Sequence, residues 1–101
     1  MAEAPRKLTD EEIKLALSRL TTWQVVGGKL HREYQFKDFV EAWGFMSSAA
    51  LLMQQMDHHP EWFNVYHTVR IDLVTHDASG ISRRDVELAE KLEHLFARRP
   101  V

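Results

Sequence analysis

The sequence predicts an α+β fold, a two-layer sandwich in which a four-stranded antiparallel sheet carries three helices on one face, in the order α-β-β-α-β-β-α. Three observations lead there. Three segments repeat apolar residues at helical period, the segments between them alternate apolar and polar residues, and the strand-like segments are joined in pairs by turns too short for a parallel crossover. A sheet with one apolar face needs a cover, and three amphipathic helices supply it.

The first helix starts at Thr9, which stands at capping-box spacing from Glu12, with Asp10 and Glu11 suited to the positive end of a helix dipole. Ile13, Ala16, Leu17 and Leu20 then recur at helical period, and Thr21-Thr22 end the run. Residues 23–26 read as a strand, Gly27-Gly28 as a tight turn and residues 29–36 as the partner strand. Leu30, Arg32, Tyr34 and Phe36 share one face of that strand, and His31, Glu33 and Gln35 the other. Asp38 caps the second helix, with Glu41 three residues on. Phe39, Ala42, Trp43, Met46, Ala49, Ala50, Met53 and Met56 form a broad apolar stripe that reads as core rather than as a cofactor pocket. Pro60 keeps the chain from continuing this helix. Val69, Ile71 and Leu73 alternate with Thr68, Arg70 and Asp72 as one half-buried strand, and residues 62–66 read as a short strand before it, with a turn near Tyr66-His67. Ser82 and Asp85 repeat the cap spacing, and Val86, Ala89, Leu92 and Phe96 form the third helical stripe.

The chain of 101 residues is expected to make a single domain over residues 1–101, small enough that self-association would help its stability. Apolar residues are 45% and charged residues 28%, which sets it apart from disordered chains. A formal net charge of −2, with no basic block beyond pairs such as Arg83-Arg84 and Arg98-Arg99, gives direct nucleic-acid binding little support. With no cysteine there is no disulfide framework, thiolate metal site or thiol nucleophile. The polar residues 1–7 do not resemble a signal peptide, and no apolar run is long enough to span a bilayer. The expected location is cytoplasmic, with a nuclear one left open.

Histidine is the informative residue type. Six occur, and three lie where side chains project into clefts: His58 and His59, just past the long helix, and His76, at the end of the long strand. Imidazole exchanges protons near neutral pH, so two imidazoles at different points of a cleft suit an elimination, one protonating a departing hydroxyl and the other removing a proton elsewhere. Asp57 and Asp77 flank them and could orient a ring or bind a polar substrate edge. His31, His67 and His94 read as solvated or structural, and Asp85 as a cap partner. A metal site is disfavoured, because neighbours at 58 and 59 rarely point to one spot and no His-x3-His spacing occurs. Neither a nucleophile elbow nor a phosphate-binding glycine loop is present.

The string Asp57-His58-His59-Pro60-Glu61-Trp62-Phe63-Asn64-Val65-Tyr66, followed by Thr75-His76-Asp77, Gly80-Ile81-Ser82 and Asp85, closely resembles the pterin-4a-carbinolamine dehydratase family. Phe36-Lys37-Asp38-Phe39 and Gly44-Phe45-Met46 are similar to it as well, so the resemblance covers nearly the whole chain. It implies a four-stranded antiparallel sheet with helices on one face. The implied activity is dehydration of 4a-hydroxytetrahydrobiopterin to quinonoid dihydrobiopterin, without metal or organic cofactor, which recycles tetrahydrobiopterin for aromatic amino-acid hydroxylases. It further implies a homodimer or homotetramer and, as an alternative role, binding to a transcription-factor dimerisation segment as a coactivator.

By the same resemblance, His58 protonates the C4a hydroxyl, His76 is the second acid/base group, and His59 positions substrate while supporting catalysis. Asp57 and the segment Val74-Thr75-His76-Asp77 match positions that hold the pterin. The resemblance also makes Trp23, Gln54 and Asp85 candidate supporting residues of the site; Trp23 matches an aromatic near the pocket, although packing at a strand start explains it equally well. Family members commonly carry glutamate where this chain has Gln54, an exchange that keeps hydrogen bonding and loses charge. Leu88, Leu92 and Leu95 are expected to form an exposed patch on the last helix for a partner.

Overall fold

The structure is a computed structural model and describes residues 5–99; the parts of the single-domain and N-terminal readings that fall on residues 1–4 and 100–101 lie outside the described residues. Helix α1 spans Asp10–Arg19 and begins as its cap chemistry requires: Thr9 Oγ1 accepts from the Glu12 amide at 3.2 Å, and Glu12 Oε1 accepts from the Thr9 amide at 3.0 Å. Strands β1 (Gln24–Val26) and β2 (Lys29–Gln35) pair with Val26 opposite Lys29, which leaves Gly27 and Gly28 as a two-residue turn. Both glycines have positive φ, 59° and 78°, the backbone that such a hairpin turn demands.

Helix α2 spans Phe39–Met56, capped by the Asp38 carboxylate, which accepts from the Glu41 amide at 2.8 Å. It ends on Asp57 in the left-handed conformation, φ 51° and ψ 44°. Strands β3 (Glu61–Val65) and β4 (Thr68–Leu73) follow as a second hairpin around Tyr66-His67, and helix α3 (Arg83–Ala97) closes the chain. The four strands form one antiparallel sheet in the order β1-β2-β4-β3. The predicted α-β-β-α-β-β-α order and α+β class therefore hold.

Strand β4 is flanked on both sides, by β2 and β3, and its inward residues Val69, Ile71 and Leu73 are fully buried with Leu30 and Tyr34 of β2. Tyr34, Phe36, Phe45 and Phe96 make an aromatic cluster with ring centroids 4.8–6.3 Å apart. Among the described residues, no buried side-chain nitrogen or oxygen lacks a hydrogen-bond partner, and no helix is long and apolar enough to cross a membrane.

Two expectations are corrected. The α2 stripe is only partly core: Ala42, Ala49 and Met53 are buried and Met46 and Met56 partly so, while Phe39, Trp43 and Ala50 are exposed; Phe45, outside the stripe, is buried. This helix is apolar nearly all round, so periodicity could not say which side would meet the sheet. The second correction concerns α3. Leu88 and Leu92 are not an exposed patch; both are fully buried, and Leu95 packs partly buried against the core. Spaced three and four residues apart, Asp85, Leu88 and Leu92 widen the α3 stripe that the layer beneath covers.

Candidate active site

The left-handed turn at Asp57 follows directly on the last turn of α2 and breaks the helical progression of side chains. As a result the adjacent histidines part company: His58 is buried and His59 is exposed. The His58 amide still donates to the Met53 carbonyl at 3.0 Å, which fixes its backbone to the helix end.

At the other end of the site, β4 runs out through the half-buried Val74 into Thr75. Thr75 and Gly80 exchange backbone hydrogen bonds at 2.9 and 3.3 Å, closing a small loop. Inside it, His76–Ala78 makes one turn of 3-10 helix, with His76 and Asp77 exposed and Ser79 in the left-handed region. The N-terminal segment holds this loop from outside: the Leu8 amide donates to the Ile81 carbonyl at 2.8 Å, and the Lys7 chain lies so close to Gly80 that a Cβ there would come within 2.9 Å of it.

Asp85 brings the two segments together. It is completely buried at the third position of α3, and its capping box is formed, with Oδ2 accepting from the Ser82 amide at 2.8 Å. Oδ2 also accepts from the Thr75 hydroxyl at 2.8 Å, and Oδ1 lies 2.6 Å from Nε2 of His58. The Thr75 and Ser82 hydroxyls are 2.6 Å apart, so every oxygen around the carboxylate is engaged. The capping role of Asp85 is formed, and the contact with His58 adds to it. The local spacing explained the residue, and the contact with His58, 27 residues away in the chain, left no local signature.

His59 Nε2 lies 3.1 Å from the amide oxygen of Gln54, one helical turn back on α2, so Gln54 holds this ring at the surface. Trp23 belongs to a different set of contacts. It is buried, its ring meets Tyr34 edge-on, and its Nε1 donates to Glu93 Oε2 at 3.1 Å. Its packing role is therefore visible in the structure. The remaining histidines take structural or surface places: His31 pairs with Asp72 at 2.8 Å, His67 sits in the β3–β4 turn beside Tyr66, and His94 is exposed on α3. A groove of about 560 Å³ between the start of α2 and the end of α3, lined by Lys37, Val40, Phe45 and Arg98 among others, contains none of the three predicted histidines.

Chemically, the site offers one buried imidazole backed by a carboxylate, one exposed imidazole held by an amide and one exposed imidazole on a short loop. Each imidazole is a group that can accept or donate a proton. A family model described as pterin 4 alpha carbinolamine dehydratase matches residues 6–95. A protein of Solibacter usitatus, provisionally named pterin-4-alpha-carbinolamine dehydratase, is 57% identical over 91 residues, covering 90% of this chain and 96% of its own. A Burkholderia multivorans protein of the same provisional name is 53% identical over 85 residues, covering 82% of this chain and 83% of its own. A crystal structure from Brucella melitensis, described as a transcriptional coactivator/pterin dehydratase, superposes with a TM-score of 0.86 at 42% identity, covering 89% of this chain and 98% of that one.

Proposed function

Because the chain belongs to the pterin 4 alpha carbinolamine dehydratase family, we propose that it dehydrates 4a-hydroxytetrahydrobiopterin to quinonoid dihydrobiopterin and water, and so recycles tetrahydrobiopterin for aromatic amino-acid hydroxylases. The observation that carries this reading is the convergence of the two histidine segments on one buried carboxylate, Asp85. His58 gives a proton to the C4a hydroxyl, which leaves as water, and His76 takes the ring proton whose loss completes the new double bond. His59, held by Gln54, positions the pterin, with Asp57, Val74, Thr75 and Asp77 along its polar edge. The reaction as written uses protons alone and calls for no metal or organic cofactor.

General acid–base groups typically contribute ~10²–10⁴-fold. The substrate also loses water unaided, so the assay must subtract that background. Replacing both His58 and His76 by alanine is expected to bring the rate down to the spontaneous one. Turnover in the double variant equal to that of the parent chain would refute the reading.

A second role is suggested by the Brucella melitensis relative, described as a transcriptional coactivator. With Leu88 and Leu92 buried, a protein partner or a second copy in a homodimer or homotetramer would have to use other apolar surface, and α2 exposes Phe39, Val40, Trp43 and Leu51. A pull-down with a homeodomain dimerisation segment, compared between the parent chain and Trp43→Glu, tests the partner; equal capture by both excludes this face. A solution mass of only the 11.8 kDa monomer would exclude self-association. The proposed location is cytoplasmic, with a nuclear pool tied to the coactivator role.

A further inference from the structure

We propose that Asp85 is the positioning residue of this site: its carboxylate keeps the proton of the neutral His58 ring on Nε2, so that Nδ1 is the atom that exchanges protons with substrate. The mention of substrate rests on the dehydratase reading; the assignment of the ring proton does not.

The inference follows from counting donors. An ionised carboxylate can only accept hydrogen bonds. A capping box needs one oxygen of the residue at 85, and Oδ2 fills that need by accepting from the Ser82 amide at 2.8 Å. The same oxygen takes the Thr75 hydroxyl proton at 2.8 Å, and the Ser82 hydroxyl, 2.6 Å from Thr75, can supply its own proton to Thr75 in turn. Both polar neighbours thus aim at Oδ2. Oδ1 is left facing Nε2 of His58 at 2.6 Å, inside a pocket where Asp85 is wholly buried and His58 only 7% exposed. With no bulk water to compete, Nε2 must be the donor. When His58 acts as an acid, the proton leaves from Nδ1 and the ring relaxes into the tautomer that Asp85 already favours. When it acts as a base, Nδ1 holds the lone pair. Thr75, bonded to that carboxylate, directly precedes His76, so the anchor of one acid/base group is shared with the strand end that carries the other.

Asparagine at position 85 inverts the arrangement without removing the helix cap. The Ser82 amide can only donate, so the single amide oxygen must stay in the place of Oδ2. The NH₂ group then occupies the place of Oδ1, donates to Nε2 and forces the His58 proton onto Nδ1.

The test is long-range ¹H–¹⁵N NMR on the full chain with ¹⁵N-labelled histidine and no ligand, at a pH where the rings are neutral, with His58→Gln assigning the signals. The parent chain is expected to show the Nε2–H pattern for His58, Asp85→Asn the Nδ1–H pattern, and Thr75→Val, which spares Oδ1, the parental one. An Nδ1–H ring or an averaged pair of tautomers in the parent chain would overturn the proposal. So would an Asp85→Asn protein that keeps Nε2–H. Should Asp85→Asn fail to fold by circular dichroism, the parental and Thr75→Val spectra still decide. In turnover, Asp85→Asn is expected to lower kcat by roughly 10²-fold, the low end of acid–base effects, with KM nearly unchanged. If the tautomer inverts but neither protein dehydrates a pterin carbinolamine, the functional reading fails and the role of Asp85 stands. If the parent chain is active and its His58 is Nδ1–H, the reverse holds.

Discussion

Glu93 ties the last helix to the first hairpin, and replacing it with glutamine should cost a definite and pH-dependent amount of stability. Its Oε2 accepts from Trp23 Nε1 at 3.1 Å, from Arg32 Nε at 3.2 Å and from the Tyr34 hydroxyl, while Oε1 accepts from the Thr22 hydroxyl at 3.1 Å. Glutamine can keep all four contacts. Its oxygen takes the place of Oε2, and its NH₂ turns to Thr22, whose hydroxyl can accept. Only the charge is lost. A hydrogen bond to a charged partner is worth about 1.5–3 kcal/mol and a neutral one about 0.5–1.5, so each of three bonds weakens by about 1 kcal/mol. The Glu93 side chain is 28% exposed, and solvent screening reduces the sum to roughly 1–2 kcal/mol. For a domain of this size that lowers Tm by about 4–8 °C per kcal/mol. Glu93→Ala also strands the wholly buried Tyr34 hydroxyl and should cost roughly 3 kcal/mol in all.

The pH dependence separates this account from a mere packing effect. Burial by itself would raise the Glu93 carboxyl, but the Tyr34 hydroxyl, the Arg32 charge and the Trp23 N–H outweigh it and hold the group below the ordinary 4.5. A carboxyl depressed on folding stabilises the native state above its unfolded value and loses that contribution as pH falls through the folded one. The gap between the parent chain and Glu93→Gln should therefore be full at about pH 7 and shrink progressively on acidification below the ordinary 4.5, so that it is much smaller at about pH 2.5. Urea unfolding followed by tryptophan fluorescence at both pH values measures it. A gap that is the same at both, or that widens in acid, would refute the reasoning.

Further outcomes are expected elsewhere. Leu92→Ala, which deletes a fully buried side chain, should destabilise by about 2–5 kcal/mol in a denaturant melt; a change under about 0.5 kcal/mol, the usual size for a surface site, would mean Leu92 is exposed after all. Gln54→Ala, which frees the His59 ring, should raise KM more than it lowers kcat in steady-state dehydration assays, and the opposite split would make His59 a proton carrier rather than a positioning group. Gly80→Ala should destabilise the loop below His76 only slightly and be rescued when Lys7 is shortened to alanine, since the three atoms nearest an added Cβ all belong to the flexible Lys7 chain; a large loss without rescue in thermal melts would mean that the backbone itself rejects the side chain.

What the sequence made legible follows the range of the forces involved. The caps at Thr9, Asp38 and Ser82 are local chemistry, decided within four residues, and each forms as read. The Gly27-Gly28 hairpin and the alternation of Val69, Ile71 and Leu73 are local too. The buried face of α2 was not legible, because Phe39, Trp43 and Ala50 are as apolar as Ala42, Phe45 and Ala49, and only the tertiary partner chooses between them. Leu88 and Leu92 were misjudged for the same reason. At the site, the motif strings name His58, His59 and His76 as candidates, but the Asp85–His58 bond joins residues from two helix ends and is visible only in the folded chain.

The corner at Asp57 carries an evolutionary consequence. An L-residue held at φ 51° gives up about 1–2 kcal/mol that glycine would keep. Selection for heat resistance alone should therefore drift toward glycine at position 57. A carboxylate that persists there is kept by a demand other than stability. Laboratory lineages evolved for thermostability should accordingly change this one codon before any core position.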